Sequence, residues 1–362
     1  MPGRSGRRLL HGTRQAAGVA VVAVVALTAC ETSATEVQPR TIVGTQPSFA
    51  ASIVTSVTSL EPLFDASANV AAARAIDDSG QVVGTSRTAS PNVDHAVIWD
   101  GSAFPADLGT LAGDNTSFAT AIAQDGSVIV GASSGTTTTP VRWVRINGTW
   151  MILALPMPPG ATHCEADAVG SDGTIAGSCD NAVVAWRSGA LFTVAASGLA
   201  RGVDGNGHVV GRAGNDAAVW NLQTSPASVT DLGTLGGTGS AAFGINDNGQ
   251  IVGIAAISSG DFHAFLWTAK KGMIDLGTLP GATVSDAYGV NANGEIVGDS
   301  RFPDGSTYAA YWQHGKIVDL GTLPGFAGSE ALAMNINGQI AGISFVTVAG
   351  VASERATIWT VK

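Results

Sequence analysis

The chain has 362 residues, of which 13% are charged and 45% hydrophobic, and 47 are glycine. So few charges exclude a disordered chain, and the glycine content, with many Val, Ile and Thr, points to turns and strands rather than helices. Acidic residues outnumber basic ones by 28 to 18, a net charge of −10, which excludes a nucleic-acid binder because that function needs basic surface.

Residues 1–29 read as a targeting segment. Arg4, Arg7, Arg8 and Arg14 precede an apolar run from Ala16 to Ala29. The run is short for a membrane span and suits a signal peptide. It closes on Leu27-Thr28-Ala29-Cys30, which looks like a bacterial lipobox, where the cysteine thiol is lipidated and becomes the new N-terminus. A plain signal peptide with a chance cysteine is the alternative. The expectation is an exported, membrane-anchored protein at the cell surface or in the periplasm, held by lipid on Cys30. Cleavage removes four arginines and no acid, leaving a still more acidic chain. Residues 30–50 contain Thr, Ser and Pro with little pattern and read as a flexible tether.

Residues 51–362 repeat one pattern seven times. A turn glycine recurs at Gly80, Gly126, Gly173, Gly207, Gly249, Gly294 and Gly338. A second follows at Gly84, Gly131, Gly177, Gly211, Gly253, Gly298 and Gly342, then a tryptophan at Trp99, Trp143, Trp186, Trp220, Trp267, Trp312 and Trp359. Trp150 stands outside the series. The fifth copy shows four strand signals: Ser240 to Asn246, Gln250 to Ile254, His263 to Trp267 and Met273 to Leu279. Four short antiparallel strands per repeat is the spacing of a β-propeller blade. The last copy stops after its third strand, and the stretch Val57 to Leu63 (VTSLEPL) aligns with the fourth-strand word VTDLGTL at Val229 to Leu235. The expected fold is an all-β, seven-bladed propeller of four-stranded antiparallel blades, closed by an N-terminal strand that completes the last blade. Such closure leaves no unpaired edge at the junction.

Within the third copy, Cys164 and Cys179 flank the turn Gly170 to Gly173. A hairpin closed there sets them opposite each other, and export favours a disulfide; two buried free thiols are the alternative. Strand one carries two small residues in every copy, from Ala73 and Ala75 to Ala331 and Ala333. Small side chains belong where blades crowd together, so strand one is placed innermost and the DLGTL strand outermost.

The phrases GINDNGQIVG, HAFLW and DLGTLPG, clearest at Phe243 to Gly253, His263 to Trp267 and Asp275 to Gly281, resemble the HAF-type extracellular repeat family of bacteria. The resemblance covers about residues 57–362 outside the loops and weakens in copies two to four. It implies an exported repeat protein and no agreed chemistry. The family's histidine is present at His95 and His263 only; Thr139, Ala182, Asp216, Tyr308 and Arg355 stand there in the other copies.

The chemistry-bearing words are few. Asp204 to Gly207 comes nearest a calcium loop but lacks its bidentate Glu, and turn chemistry explains it. Asp107, Asp231, Asp275 and Asp319 each open a DLGTL word and read as structural acceptors. The seven tryptophans read as wedges between blades. No cofactor and no metal are expected, and no catalytic residue stands out. The position between the two small residues of strand one varies: Arg74, Thr120, Asp167, Arg201, Phe243, Tyr288 and Leu332. Arg74, Asp167, Arg201 and Tyr288 are therefore candidate ligand contacts near the channel mouth. The alternative is an Asp167 to Arg201 ion pair with Arg74 reaching solvent. The longer connections, between strands two and three and between strands four and one, gather on one face of the disc, where function tends to sit. Arg87, Asp94, Asp114, Arg301, Asp304 and Glu330 are assigned to it. A monomeric, non-enzymatic binding scaffold for a protein, peptide or glycan is the expected function; a hydrolase or lyase acting on an extracellular polymer is the alternative.

Overall fold

Turn chemistry sets the hairpins. All seven turn glycines adopt positive φ, between +70° and +88°, a region that costs a residue with a Cβ. In five of them the residue three before accepts the glycine N–H, as Asn246 does from Gly249 at 2.9 Å. The chain so folded makes seven four-stranded antiparallel sheets arranged in a ring, a seven-bladed β-propeller. This is a computed structural model, and it describes residues 53–64, 70–89, 93–102, 104–348 and 351–362. The expected signal segment, Cys30 and the tether at 30–50 lie outside the described residues.

The inner strands are Ala71–Ile76, Thr116–Ile122, Cys164–Val169, Leu199–Val203, Gly236–Ile245, Val284–Val290 and Gly328–Met334. Blade 7 takes its outermost strand, Val54–Ser59, from the other end of the chain; it pairs with Val351–Val361, with Val57 opposite Trp359 and Ser59 opposite Thr357. Val229 opposes Trp220 in blade 4 in the same way, so the two aligned words occupy one structural place. The fourth strands are shorter than the repeated word. In blade 5 the strand is Gly272–Asp275, and the residues after Asp275 turn away. The cause is local: Asp275 accepts the N–H of Gly277 at 2.7 Å, and Gly277 has φ +68°. Asp107, Asp231 and Asp319 make the same turn.

The apolar core lies between blades. Among the described residues there are seven buried clusters, and each joins one blade to the next. The repeated tryptophans pack toward the preceding blade. Trp143 donates its Nε1–H to the Leu108 carbonyl at 2.8 Å, and Trp186 to that of Pro156 at 2.7 Å. A buried indole needs such a partner. A serine of the next inner strand adds a second clip. Ser117, Ser240, Ser285 and Ser329 donate to the carbonyls of Gly109, Gly233, Gly277 and Gly321 and accept from Ala96, Ala217, Ala264 and Ala309. At the turns, Asn246 donates to the Asn291 carbonyl, Asn291 to that of Asn335, and Asn335 to that of Asp77. The last of these bonds crosses from blade 7 to blade 1.

Every inner strand carries a β-bulge at one place. In all seven blades the register slips between the two small residues, for example between Ala73 and Ala75 or between Ala287 and Gly289. The residue left over is the variable one. The small residue before it packs toward the preceding blade and the one after it toward the next, as Ala166 and Ala168 do. A flat strand has only these two faces. The extra residue of a bulge points a third way.

Candidate functional site: the axial channel

Extra residues of neighbouring blades meet around the axis. Phe243 and Tyr288 stack with ring centroids 5.5 Å apart. Arg201 Nη1 lies 3.6 Å from Asp167 Oδ1. Thr120 donates its hydroxyl to the Ala166 carbonyl of blade 3 at 2.6 Å. Asp167 is nearly buried, its Oδ2 has no protein hydrogen-bond partner, and burial pushes its carboxyl up to about 7 against the pull of Arg201. The Asp167–Arg201 pair thus exists. Arg74 belongs with a different group: burial lowers its pKa, and the charges of Glu354, Glu330 and Tyr288 act on it.

That group is a polar cluster drawn from three blades. It gathers Asp286, Tyr288, Asp299 and Arg301 of blade 6, Glu330 and Glu354 of blade 7, and Arg74 of blade 1. Cross-strand pairing sets Asp286 opposite Asp299. Arg301 donates from Nη2 to Asp286, and its Nε lies 3.8 Å from Asp299 Oδ1. Both carboxylates are buried. Asp299 Oδ1 and Arg301 Nε have no protein hydrogen-bond partner among the described residues. Burial raises the carboxyl of Asp299 well above its usual range, and the charges of Asp286 and Glu330 push the same way. Burial likewise raises Asp286, Glu330 and the Tyr288 phenol. Burial pulls Arg301 down, but Asp286 and Asp299 together outweigh it and hold the guanidinium charged. The strand positions place this cluster at the end of the axis where the longer loops are: Asp286 and Glu330 lie early in inner strands, and Asp299 and Arg301 end Ile296–Arg301. An arrangement with excess carboxylate, two guanidiniums and unpaired buried polar atoms has the chemistry to hold a polar group.

The other sequence-assigned residues divide. Arg301 and Glu330 are strand residues rather than loop residues, and both join the cluster. Arg87 and Asp94 end facing strands and pair with each other at 3.0 Å. Asp114 accepts the Ser133 hydroxyl at 2.7 Å, and Asp304 accepts the Ser306 N–H at 2.9 Å. These four are occupied in local structure. Cys164 and Cys179 face each other across the blade 3 hairpin and are joined by a disulfide. His95 and His263 lie 2.9 Å from Asp107 and Asp275 of their own blades, so each histidine braces the outermost strand of its blade.

Sequence reasoning missed Asp286, Asp299 and Glu354. It also missed a second variable ring at the opposite, tight-turn end of the axis. Two residues before the constant turn glycine, the second residue of each turn is Asp78, Gln124, Ser171, Gly205, Asp247, Ala292 or Ile336. All but Gly205 line a cavity of about 180 Å³ there. Variation at fixed spacing was the available signal, as it was for the bulge.

No family model matches the chain, and no curated protein matches it. Solved structures do. A puromycin-hydrolysing peptidase of Mycobacterium tuberculosis superposes with a TM-score of 0.54 at 10% identity, covering 80% of this chain and 52% of its own. An acylaminoacyl peptidase of Pyrococcus horikoshii gives 0.50 at 11% identity, covering 80% and 51%. TolB from Acinetobacter baumannii gives 0.41 at 14% identity, covering 78% and 64%. The chain spans about half to two-thirds of the length of these proteins, and at such identities the two peptidases speak for the propeller fold alone.

Proposed function

We propose that this protein is an exported, lipid-anchored binding module that receives a polar ligand, a peptide or a glycan, at the loop-face mouth of its channel. One observation carries the reading: Arg74, Asp286, Tyr288, Asp299, Arg301, Glu330 and Glu354 come from three blades and converge there, with buried polar atoms left unpaired. A rigid ring supplies the preorganisation that keeps the ordering cost of binding low. The anchor rests on the basic start, the apolar run and Cys30, together with the resemblance to exported HAF-type repeats.

Peptide and glycan arrays probed with the isolated protein test the proposal, with an Arg74→Ala, Glu330→Gln variant alongside. A ligand bound by the wild type and at least about tenfold more weakly by the variant is expected, as for a buried charged anchor. Equal capture by both, with the fold intact, would overturn the site. In the cell, labelled palmitate should enter the wild-type protein and not Cys30→Ser; equal labelling of both would overturn the anchor.

A further inference from the structure

The cavity at the tight-turn end has two tiers. Its wall is an aliphatic collar made by the last residue of every inner strand, from Ile76 and Ile122 to Val290 and Met334. Its rim is made by the turn tips, with Asp78 and Asp247 the acids, and none of the lining residues is basic. The two acids differ. Asp247 is committed: it accepts the Ser171 hydroxyl and the Gly205 N–H, both at 2.7 Å. Among the described residues, the Asp78 carboxylate has only a long contact, from the Ile336 N–H at 3.4 Å. The arc of the rim between the two acids, from Asp247 round to Asp78, is apolar, with Ala292 exposed and Ile336 45% exposed.

An occupant of this cup must bring apolar surface for the collar and something for the rim. A carboxylate or phosphate would meet two acids and no cation. A wholly apolar body would leave Asp78 partly dehydrated without compensation. A short alkyl chain with a terminal ammonium satisfies both tiers: the methylenes leave water against the collar, and the charged head stays at the wet rim beside Asp78, the division long basic side chains make at other apolar surfaces. We propose that the cup binds a primary alkylammonium group, either a free alkylamine or a lysine side chain of a partner. This site is separate from the polar cluster at the loop face.

Titration calorimetry on the isolated full chain tests it, with n-butylammonium, Nα-acetyl-lysine amide, n-butanol and butyrate as probes. Saturable binding of butylammonium and none of butyrate is expected. Asp78→Asn should weaken the amine about fivefold, the upper range for an exposed charge pair. Ala292→Trp, on the exposed rim, should block the cup without changing Tm. Binding of the lysine amide as well would assign the occupant to a lysine side chain, and binding of butylammonium alone to a free amine. Butyrate or butanol binding as tightly as butylammonium, an unchanged affinity in Asp78→Asn, or no saturable binding of either amine would overturn the proposal. Arg74→Ala should leave amine binding untouched, which separates this test from that of the loop-face site.

Discussion

Asp167 shows how one residue ties the channel to pH. Burial raises its carboxyl to about 7, and Arg201 at 3.6 Å only partly opposes this. The folded state therefore holds a proton that the unfolded chain releases near the ordinary carboxylate value. Between those two values the native state binds more protons, so stability falls as pH rises through the window and is fully regained below it. Asp286, Asp299 and Glu330 are raised by burial too and push in the same direction. Asp167→Asn should thus stabilise the fold at pH 8 relative to wild type, and so raise Tm, with a free-energy gain on the order of 3 kcal/mol or less that shrinks toward pH 5. Melting curves across pH would show it; a variant less stable than wild type at pH 8 would mean that the Arg201 pair outweighs the burial cost. The position itself was legible in the sequence, because it alone varied between two small neighbours. Its burial was not, since that depends on Arg201 arriving from the next blade.

At the level of the strand pair, the two glycines of each repeat look alike in sequence and do different work. Gly249 needs its positive φ, +71°, and a Cβ there would meet nothing within 4 Å. Gly253 has ordinary φ, but a Cβ would lie 2.0 Å from the Ala241 carbonyl oxygen. The same clash, 1.8 to 2.0 Å from an inner-strand carbonyl, recurs at the second glycine of every blade. The bulge explains it: the glycine faces the residue just before the slip, where the inner strand bends toward it. Gly249→Ala should cost about 1 kcal/mol through strain. Gly253→Ala must displace backbone and should cost about 3 kcal/mol or more. Denaturant unfolding of the two variants decides this, and equal losses would deny the bulge its part. The seven strand quartets could be read from turn and tryptophan spacing, whereas the bulge could not. A bulge is a property of pairing, and only the unexplained second glycine hinted at it. The mouth cluster was half legible for a related reason: Asp286 and Asp299 sit on regular strand positions with no motif, and only the closing of the ring sets them beside Glu330 and Arg74.

The ring as a whole depends on the chain's two ends meeting. The stretch 53–63 joins blade 7 to blade 1: Ile53 enters the core between blades 6 and 7, while Leu60 and Leu63 pack between blades 7 and 1. The Glu61 carbonyl accepts the Trp99 Nε1–H at 2.8 Å, the Glu61 carboxylate lies 3.4 Å from Arg355, and the Leu63 N–H donates to Ser86 at 2.9 Å. Removing residues 53–63 would strand Val351–Val361 as an open edge, leave the Trp99 indole unpaired and uncover apolar surface at two interfaces, a combined loss on the order of 5 kcal/mol. In a chain of this size that lowers Tm by about 10 °C and favours self-association through the bare edge. Adding a synthetic peptide of residues 51–64 should restore much of the lost stability, because the strand it replaces makes no covalent demand on its neighbours. Reducing the Cys164–Cys179 disulfide is the matched control: it lies within one blade, closes a loop of 15 residues and is worth about 3 kcal/mol in the chain-entropy model, but it leaves the junction shut. Calorimetry should therefore show one cooperative transition after reduction and a broadened, concentration-dependent one after deletion. A deletion variant that melts as sharply and as high as the parent would mean that seven blades hold their circle without the closing strand.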